Sequence, residues 1–203
     1  AMLLLAAVIL TAAYMPRGFA VYAAVYALFS ILYSLRLKHI AVLDVLIVAF
    51  GFVLRVQGGS AAIGVAPTVW IVICTFLLAL FIALAKRRDD LTRDMQDSHR
   101  PALAGYNLRF VDSALSIVLA ALLVSYLVYT TNEGVIHRYG TDQLYLTAPF
   151  VTAGVLRYLQ IALVAERSGS PTEIALSDRF LMVAVLGWVA RSEEHTSELQ
   201  SHS

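Results

Sequence analysis

Residues 68–97 read TVWIVICTFLLALFIALAKRRDDLTRDMQD: an apolar run from 68 to 86 that breaks without transition into charge. A helix crosses a bilayer with about 20 largely apolar residues, about 17 to 25 being the working range. The stretch therefore reads as one membrane span followed by a charged loop over residues 87–107. Working outward, six more runs share its character: 1–15, 18–35, 40–57, 108–130, 145–165 and 178–190. Turn or charge signals bound them, among them Pro16-Arg17-Gly18, Lys38-His39, Gly58-Gly59, Thr131-Asn132-Glu133-Gly134 and Ser168-Gly169-Ser170-Pro171. Barrel strands would be about 10 residues long and alternate polar with apolar, and these runs do neither. The expectation is an all-α, polytopic transmembrane helical bundle with seven spans.

Composition points the same way. Of 203 residues, 60% are hydrophobic and 14% charged, with a mean hydropathy of +0.76; a soluble domain is about 25% charged. A water-soluble globular enzyme is excluded. The single cysteine, Cys74, lies inside an apolar run, so neither a disulfide framework nor a cysteine metal site is available. Any metal would be held by oxygen or imidazole ligands.

The two ends read differently from the middle. From Arg191 the chain runs Arg-Ser-Glu-Glu-His-Thr-Ser-Glu-Leu-Gln-Ser, which back-translates into a widely used sequencing adapter read in frame. Residues 191–203 are therefore set apart as adapter-derived and not as structure, and 1–190 is taken as a single transmembrane helical domain. Without that tail the formal net charge changes from +1 to +3, since one Arg and three Glu leave with it. The opening Ala1-Met2-Leu3-Leu4-Leu5 has no basic region or cleavage site of a signal peptide. Both ends read as cuts through membrane helices, which makes the chain a truncated fragment.

Lys and Arg counts should differ between the two faces of a correct topology. One face receives Arg36, Lys38, Lys86, Arg87, Arg88, Arg93, Arg100, Arg109, Arg167 and Arg179; the other receives Arg17, Arg55 and Arg138. The first is assigned to the cytoplasm of a multi-pass protein in the cell membrane. Ionisable residues inside spans are costly and mark wet cavities or protein interiors. Asp44 and Arg55 lie three turns apart on one helix face, about 16 Å, too far to pair, so each needs another partner. The plainer reading has Asp44 at a helix start and Arg55 snorkelling to a surface. Arg157-Tyr158 sits inside the sixth span, where Arg157 either lines a pocket or bridges helices.

Beyond the fourth span, Asp90, Asp94 and Asp97 fall on one face of a continuing helix, where like charges repel. Mg²⁺ shared with a polyphosphate would remove that penalty, since it favours one or two carboxylates plus substrate phosphates. Lys86, Arg87 and Arg88 supply countercharge for a leaving diphosphate. A solvated loop whose acids merely offset its bases is the alternative. Tyr33-Ser34-Leu35-Arg36-Leu37-Lys38-His39 puts a second basic and polar cluster at the same face. No paired histidines for zinc, P-loop, nucleophile elbow or dinucleotide fingerprint occurs, and His39, His99 and His137 stand alone.

Taken together, Tyr33-Ser34-x-x-Leu37-Lys38-His39 leading to Asp44-Val45, Gly51-Phe52-x-x-Arg55, Gly58-Gly59, Trp70, and the run ending in Lys86-Arg87-Arg88-x-Asp90-Leu91 resemble the UbiA-type intramembrane prenyltransferase superfamily. The nearer likeness is to its decaprenyl-phosphate phosphoribosyltransferase branch, which Pro149-Phe150, Arg157-Tyr158 and Gly169-Ser170-Pro171-Thr172-Glu173 before Asp178-Arg179 also resemble. The resemblance implies nine spans in the complete protein, with residues 1–15 as the third and 178–190 as the ninth. It implies a site near the cytoplasmic face and two acidic motifs holding Mg²⁺ on a diphosphate. The first acidic motif is absent here, so the fragment alone is expected to be inactive. Asp90 matches the branch's second acidic position, and Asp94 fits the wider superfamily's DxxxD form.

On this reading a 5-phosphoribosyl group passes from phosphoribosyl pyrophosphate to a polyprenyl phosphate and pyrophosphate is released, in the service of cell-wall arabinan or related glycan precursors. Asp90, Lys86 and Lys38 are the candidate catalytic residues, with Asp90 and Asp94 as metal ligands. Tyr33, Arg87, Arg88, Asp44, Arg55, Arg157 and Tyr158 are candidate substrate-binding residues, Tyr33 and Asp44 orienting the Lys38 cluster. The acceptor phosphate is already an anion, which suits the absence of a His or Cys nucleophile. A second enzyme reading, transfer of a polyprenyl chain from its diphosphate to an aromatic or other acceptor, uses the same diphosphate machinery. A transporter or channel would call for inverted repeats or helices broken near mid-membrane, whereas Gly58-Gly59 and Pro67 are read here as loop. No nucleic-acid partner is expected.

Overall fold

The computed structural model describes residues 16–94, 105–164 and 176–201, the side chains of 93, 94, 138, 139 and 192–201 excepted. The described residues form seven α-helices and no strand: α1 Arg17–Leu35, α2 Leu43–Ile63, α3 Val69–Asp94, α4 Leu108–Thr131, α5 Glu133–Tyr139, α6 Ala148–Leu163 and α7 Arg179–Ser201. Short 3₁₀ turns, Leu37–His39 and Gln143–Thr147, precede α2 and α6. Successive long helices run antiparallel, so the Lys38 turn, the end of α3 and the starts of α4 and α7 gather at one end of the bundle, called below the basic end.

Among the described residues, five segments are long and apolar enough to cross a membrane: Arg17–Leu35, Leu43–Ile63, Val69–Thr92, Leu108–Thr131 and Gln143–Leu163. They match five of the expected runs. The first run, 1–15, lies outside the described residues. The last begins as expected, but α7 is too polar over its second half to qualify. Among the described residues, five of the expected runs thus stand as spans, with the apolar first half of α7 packed beside them.

Buried side chains from five helices form the core: Val45, Phe81, Leu84, Val111, Leu115, Leu119, Tyr158, Ile161 and Leu181. Leu115 and Val111 are wholly enclosed. Large apolar side chains such as Leu28, Ile117 and Val183 point outward. A soluble protein would hide such residues; a bilayer solvates them, and the core is correspondingly thin.

Two boundaries correct the sequence reading. Gly58-Gly59 does not end a span, because α2 continues to Ile63 and stops only at Gly64, whose φ of 71° is the left-handed cap glycine favours. Glycine inside a helix costs only about 1 kcal/mol, and here it has a use. A side chain at Gly58 would stand 3.4 Å from Cβ of Tyr22, and one at Gly51 would stand 3.4 Å from the Tyr26 ring. The two glycines are seven residues apart on one face, so α1, which has no buried residue of its own, seats its aromatics against the α2 backbone. Lying inside α2 rather than in a loop, Gly58-Gly59 no longer weighs against a transporter. At the other end, α3 runs past residue 86 to Asp94, carrying the charged segment on helix rather than loop.

The tail set apart by the sequence is helical to Ser201, and Arg191 reaches Oε1 of Gln143 at 3.4 Å. Its Ser, Glu, His and Gln residues carry no helix breaker, so the backbone of α7 simply propagates.

Candidate active site

The first turn of α2 holds the most enclosed charge among the described residues. Asp44 is 1% exposed. Such a carboxylate is tolerated only with partners, and it has two. Nε–H of Arg87 donates to Oδ2 at 2.7 Å, and the Tyr106 hydroxyl donates to Oδ1 at 2.5 Å. The Tyr106 oxygen in turn accepts the backbone N–H of Val42 at 2.7 Å. Val42 has φ of 70°, a conformation a β-branched residue seldom adopts. That N–H is held in place just where the chain turns from the Lys38 segment into α2. Burial, and then the hydrogen bond to Asp44, pushes the Tyr106 phenol well above the usual tyrosine value.

Arg87 extends the network. Its NH1 donates to Oδ2 of Asp90 at 3.1 Å, one helical turn on. Its neighbour Arg88 points elsewhere: it is buried, and its Nε donates to Oδ1 of Asp112 on α4 at 2.7 Å. Helical geometry makes this split unavoidable, because adjacent residues point about 100° apart. One arginine thus pins α3 to α2 and the next pins α3 to α4.

The expected site residues are distributed as follows. Asp44, Arg87 and Asp90 come together. The orienting role expected of Asp44 toward Lys38 is corrected: its two oxygens are turned to Arg87 and Tyr106. Arg88, expected to face phosphate, is committed to Asp112. Lys38 and Lys86 are exposed at the basic end. Asp94 lies on α3 by backbone, but its side chain, with Asp97, lies outside the described residues. Tyr33 is within electrostatic reach of Arg87 and lines a separate cavity with Arg55. Arg157 is no lone intramembrane charge: NH2 donates to Oδ2 of Asp178 at 2.7 Å, bridging α6 to the start of α7. Asp178 also accepts the Leu181 N–H at 3.0 Å, capping α7. The Arg157 hydrogen bond holds the Asp178 carboxyl down at about 2. Tyr158 is buried edge-on against Phe81, with ring centroids 4.7 Å apart.

The sequence reading missed Tyr106, Asp112 and Tyr26. Asp112 had a signal, being an acid inside an apolar span that needs a cation. Tyr106 had none, since it lies 62 residues from Asp44 and only folding joins them.

No group of three potential metal ligands occurs among the described residues. Arg87 engages one oxygen of Asp90, and the other has no protein partner among them. That donor set suits a Mg²⁺ ion that brings most of its ligands as water and substrate phosphate. It does not suit an all-protein metal cage. A second cavity of about 290 Å³, lined by Leu78, Phe81, Leu122, Tyr158 and Trp188 among others, is apolar and offers no charged group.

The fold and the site define a polytopic helical membrane protein with a charged knot at one end. The chain is related to proteins named decaprenyl-phosphate phosphoribosyltransferase. It is 28% identical to the one from Corynebacterium glutamicum over 81% of this chain and 50% of that protein. Against that of Mycolicibacterium smegmatis the identity is 28% over 87% and 58% respectively. Against that of Mycobacterium tuberculosis it is 23% over 82% and 54%. The chain spans about half the length of the curated relatives it matches. No family model matches it. The likeness in the motifs and the relationship across most of the chain agree.

Proposed function

We propose that this chain forms part of a membrane phosphoribosyltransferase that passes a 5-phosphoribosyl group from phosphoribosyl pyrophosphate to a polyprenyl phosphate. The observation that carries the reading is the Asp44–Arg87–Asp90 link. It ties the start of α2, which follows the Lys38 turn, to the end of α3 that carries Lys86; two basic segments at one end of the bundle suit capture of an anionic leaving group, and the relatives' names point to the same chemistry.

In the reaction an oxygen of the acceptor phosphate forms a bond to C1 of the ribose. The bond from C1 to the pyrophosphate oxygen breaks, and its electron pair leaves with pyrophosphate. The nucleophile is already anionic, so no general base is needed. Lys38 and Lys86 bind the donor's phosphates from the exposed rim. Arg87, held by Asp44, acts as a positioning residue that orients Asp90. Mg²⁺, held by Asp90 and Asp94, would neutralise the leaving diphosphate. Low local dielectric at a membrane surface strengthens each of these interactions. On the same reading the basic end faces the cytoplasm of the cell membrane, and the lipid product feeds arabinan or related glycan synthesis.

The test supplies radiolabelled phosphoribosyl pyrophosphate to membranes that contain the complete gene product, polyprenyl phosphate and Mg²⁺. Label entering the organic phase is the expected result. Prenyl transfer to an aromatic acceptor without such labelling would replace the reading by its prenyltransferase relative.

A further inference from the structure

Val42 is the single non-glycine residue with a positive φ among the described residues. Its angles, φ 70° with ψ −45°, lie close to the tight γ-turn, which is rare and strained, and a β-branched side chain makes that conformation costlier still. Such outliers persist only where the surroundings over-determine them, and they gather at functional sites. The Val42 side chain is exposed, so packing does not hold the turn. The hold comes through the backbone: its N–H donates to the Tyr106 hydroxyl oxygen at 2.7 Å, and that hydroxyl donates onward to Oδ1 of Asp44 at 2.5 Å. One hydroxyl thus fastens two positions of the same turn.

Tyr106 is anchored well enough to act as a strut. It is buried, it stands immediately before the Asn107 cap of α4, and its ring rests against Phe110 with centroids 6.0 Å apart. The backbones meet here only because both neighbours are small, since a Cβ at Gly105 would stand 2.4 Å from Cβ of Ala41. The start of α4 is therefore seated on residues 41–44. Beyond Val42 the chain runs back through Ile40 to the 3₁₀ turn Leu37–His39, which carries Lys38. On its other side, Arg87 ties Asp44 to α3. With the first turn of α2 fixed, the backbone angles at Val42 set the direction in which the Lys38 segment leaves it.

We propose that Tyr106 is a positioning residue for the donor's diphosphate: by holding Val42 in its strained turn, it fixes where Lys38 is presented at the basic end. The inference rests on the proposed phosphoribosyl transfer, in which Lys38 binds the donor. Tyr106 itself is turned inward and acts only through the turn.

The experiment measures steady-state transfer from radiolabelled phosphoribosyl pyrophosphate to polyprenyl phosphate in membranes that contain the complete gene product and Mg²⁺. Tyr106→Phe keeps the ring and removes the hydroxyl. It should raise the KM for phosphoribosyl pyrophosphate about tenfold, as for loss of a hydrogen bond to a charged group, with kcat changed less than about twofold and the KM for the lipid unchanged. In a Lys38→Met background it should raise that KM no further, because it acts through the lysine. Adding Val42→Gly to Tyr106→Phe should bring the KM back down, since glycine adopts positive φ without steric cost. A loss confined to kcat, as a smaller folded fraction would give, overturns the proposal, as does an undiminished effect in the Lys38→Met background or no recovery with Val42→Gly. If Tyr106→Phe loses its thermal unfolding transition, Gly105→Ala decides in its place. That variant should raise the same KM by pressing on Ala41, and adding Ala41→Gly should restore it; an unchanged KM in Gly105→Ala overturns the proposal. Transfer that is insensitive to Tyr106→Phe would fell this role and leave the proposed function standing, whereas no transfer by the unmodified protein would fell both.

Discussion

Asp44 shows what a single buried charge demands. Its carboxylate is taken from water almost completely, and the cost is offset only while Arg87 and Tyr106 both point at it. Removing one member of a buried pair typically costs about 3–5 kcal/mol, because the other is left uncompensated. Arg87 is partly exposed, so Asp44→Ala should fall near about 3 kcal/mol, read as a lower thermal unfolding midpoint in detergent. Tyr106→Phe in the same background should add less than it does alone, since the two share one network. Full additivity would show that the Tyr106 contact contributes independently of Asp44.

Among the elements, α6 and α7 are joined by an ion pair with a readable pH signature. Asp178 has its pKa lowered to about 2 in the folded protein, against about 3.9 when unfolded. The carboxylate form is the one the fold favours, so its stabilisation is complete above about pH 4 and fades as pH falls toward 2. Thermal unfolding measured between pH 5 and 2 should show this loss, and Arg157→Gln should remove that part of the pH dependence. Glycine packing offers a second comparison. A side chain at Gly187 on α7 would sit 2.5 Å from the Phe150 ring of α6, whereas nothing among the described residues lies within 4 Å of one at Gly59. Gly187→Val should therefore lower the unfolding midpoint, while Gly59→Ala should leave it unchanged or raise it, helix propensity contributing up to about 1 kcal/mol of stability. A destabilised Gly59→Ala would mean that another surface covers that face of α2.

For the molecule as a whole, the antiparallel succession of long helices puts Lys38 and Lys86 at one end and the start of α5 at the other. On the proposed orientation, Lys38→Cys and Lys86→Cys in a Cys74→Ser background should react with a membrane-impermeant maleimide only after the cytoplasmic side is opened. Glu133→Cys should react from outside. Labelling of Lys38→Cys and Glu133→Cys from the same side would contradict this arrangement. The two arginines at the end of α3 also set the bundle's construction: with Arg87 tied to Asp44 and Arg88 to Asp112, three helices are clamped at the end where the proposed chemistry takes place.

Span count within the middle of the chain, antiparallel order and the clustering of basic residues at one end were legible from residue order alone, because bilayer thickness converts apolar length directly into helices. So was the need of Asp44 and Arg55 for partners, since helical rise sets their separation. Which partners they found was decided only in three dimensions. Tyr106 and Tyr26 reach those charges across helices, Gly58-Gly59 turned from a stop into a packing seam, and Arg88 was drawn inward to Asp112. Local sequence encodes periodicity and hydropathy; the pairing of one buried charge with another depends on how helices far apart in the chain are rotated against each other, and no spacing along the chain specifies that rotation.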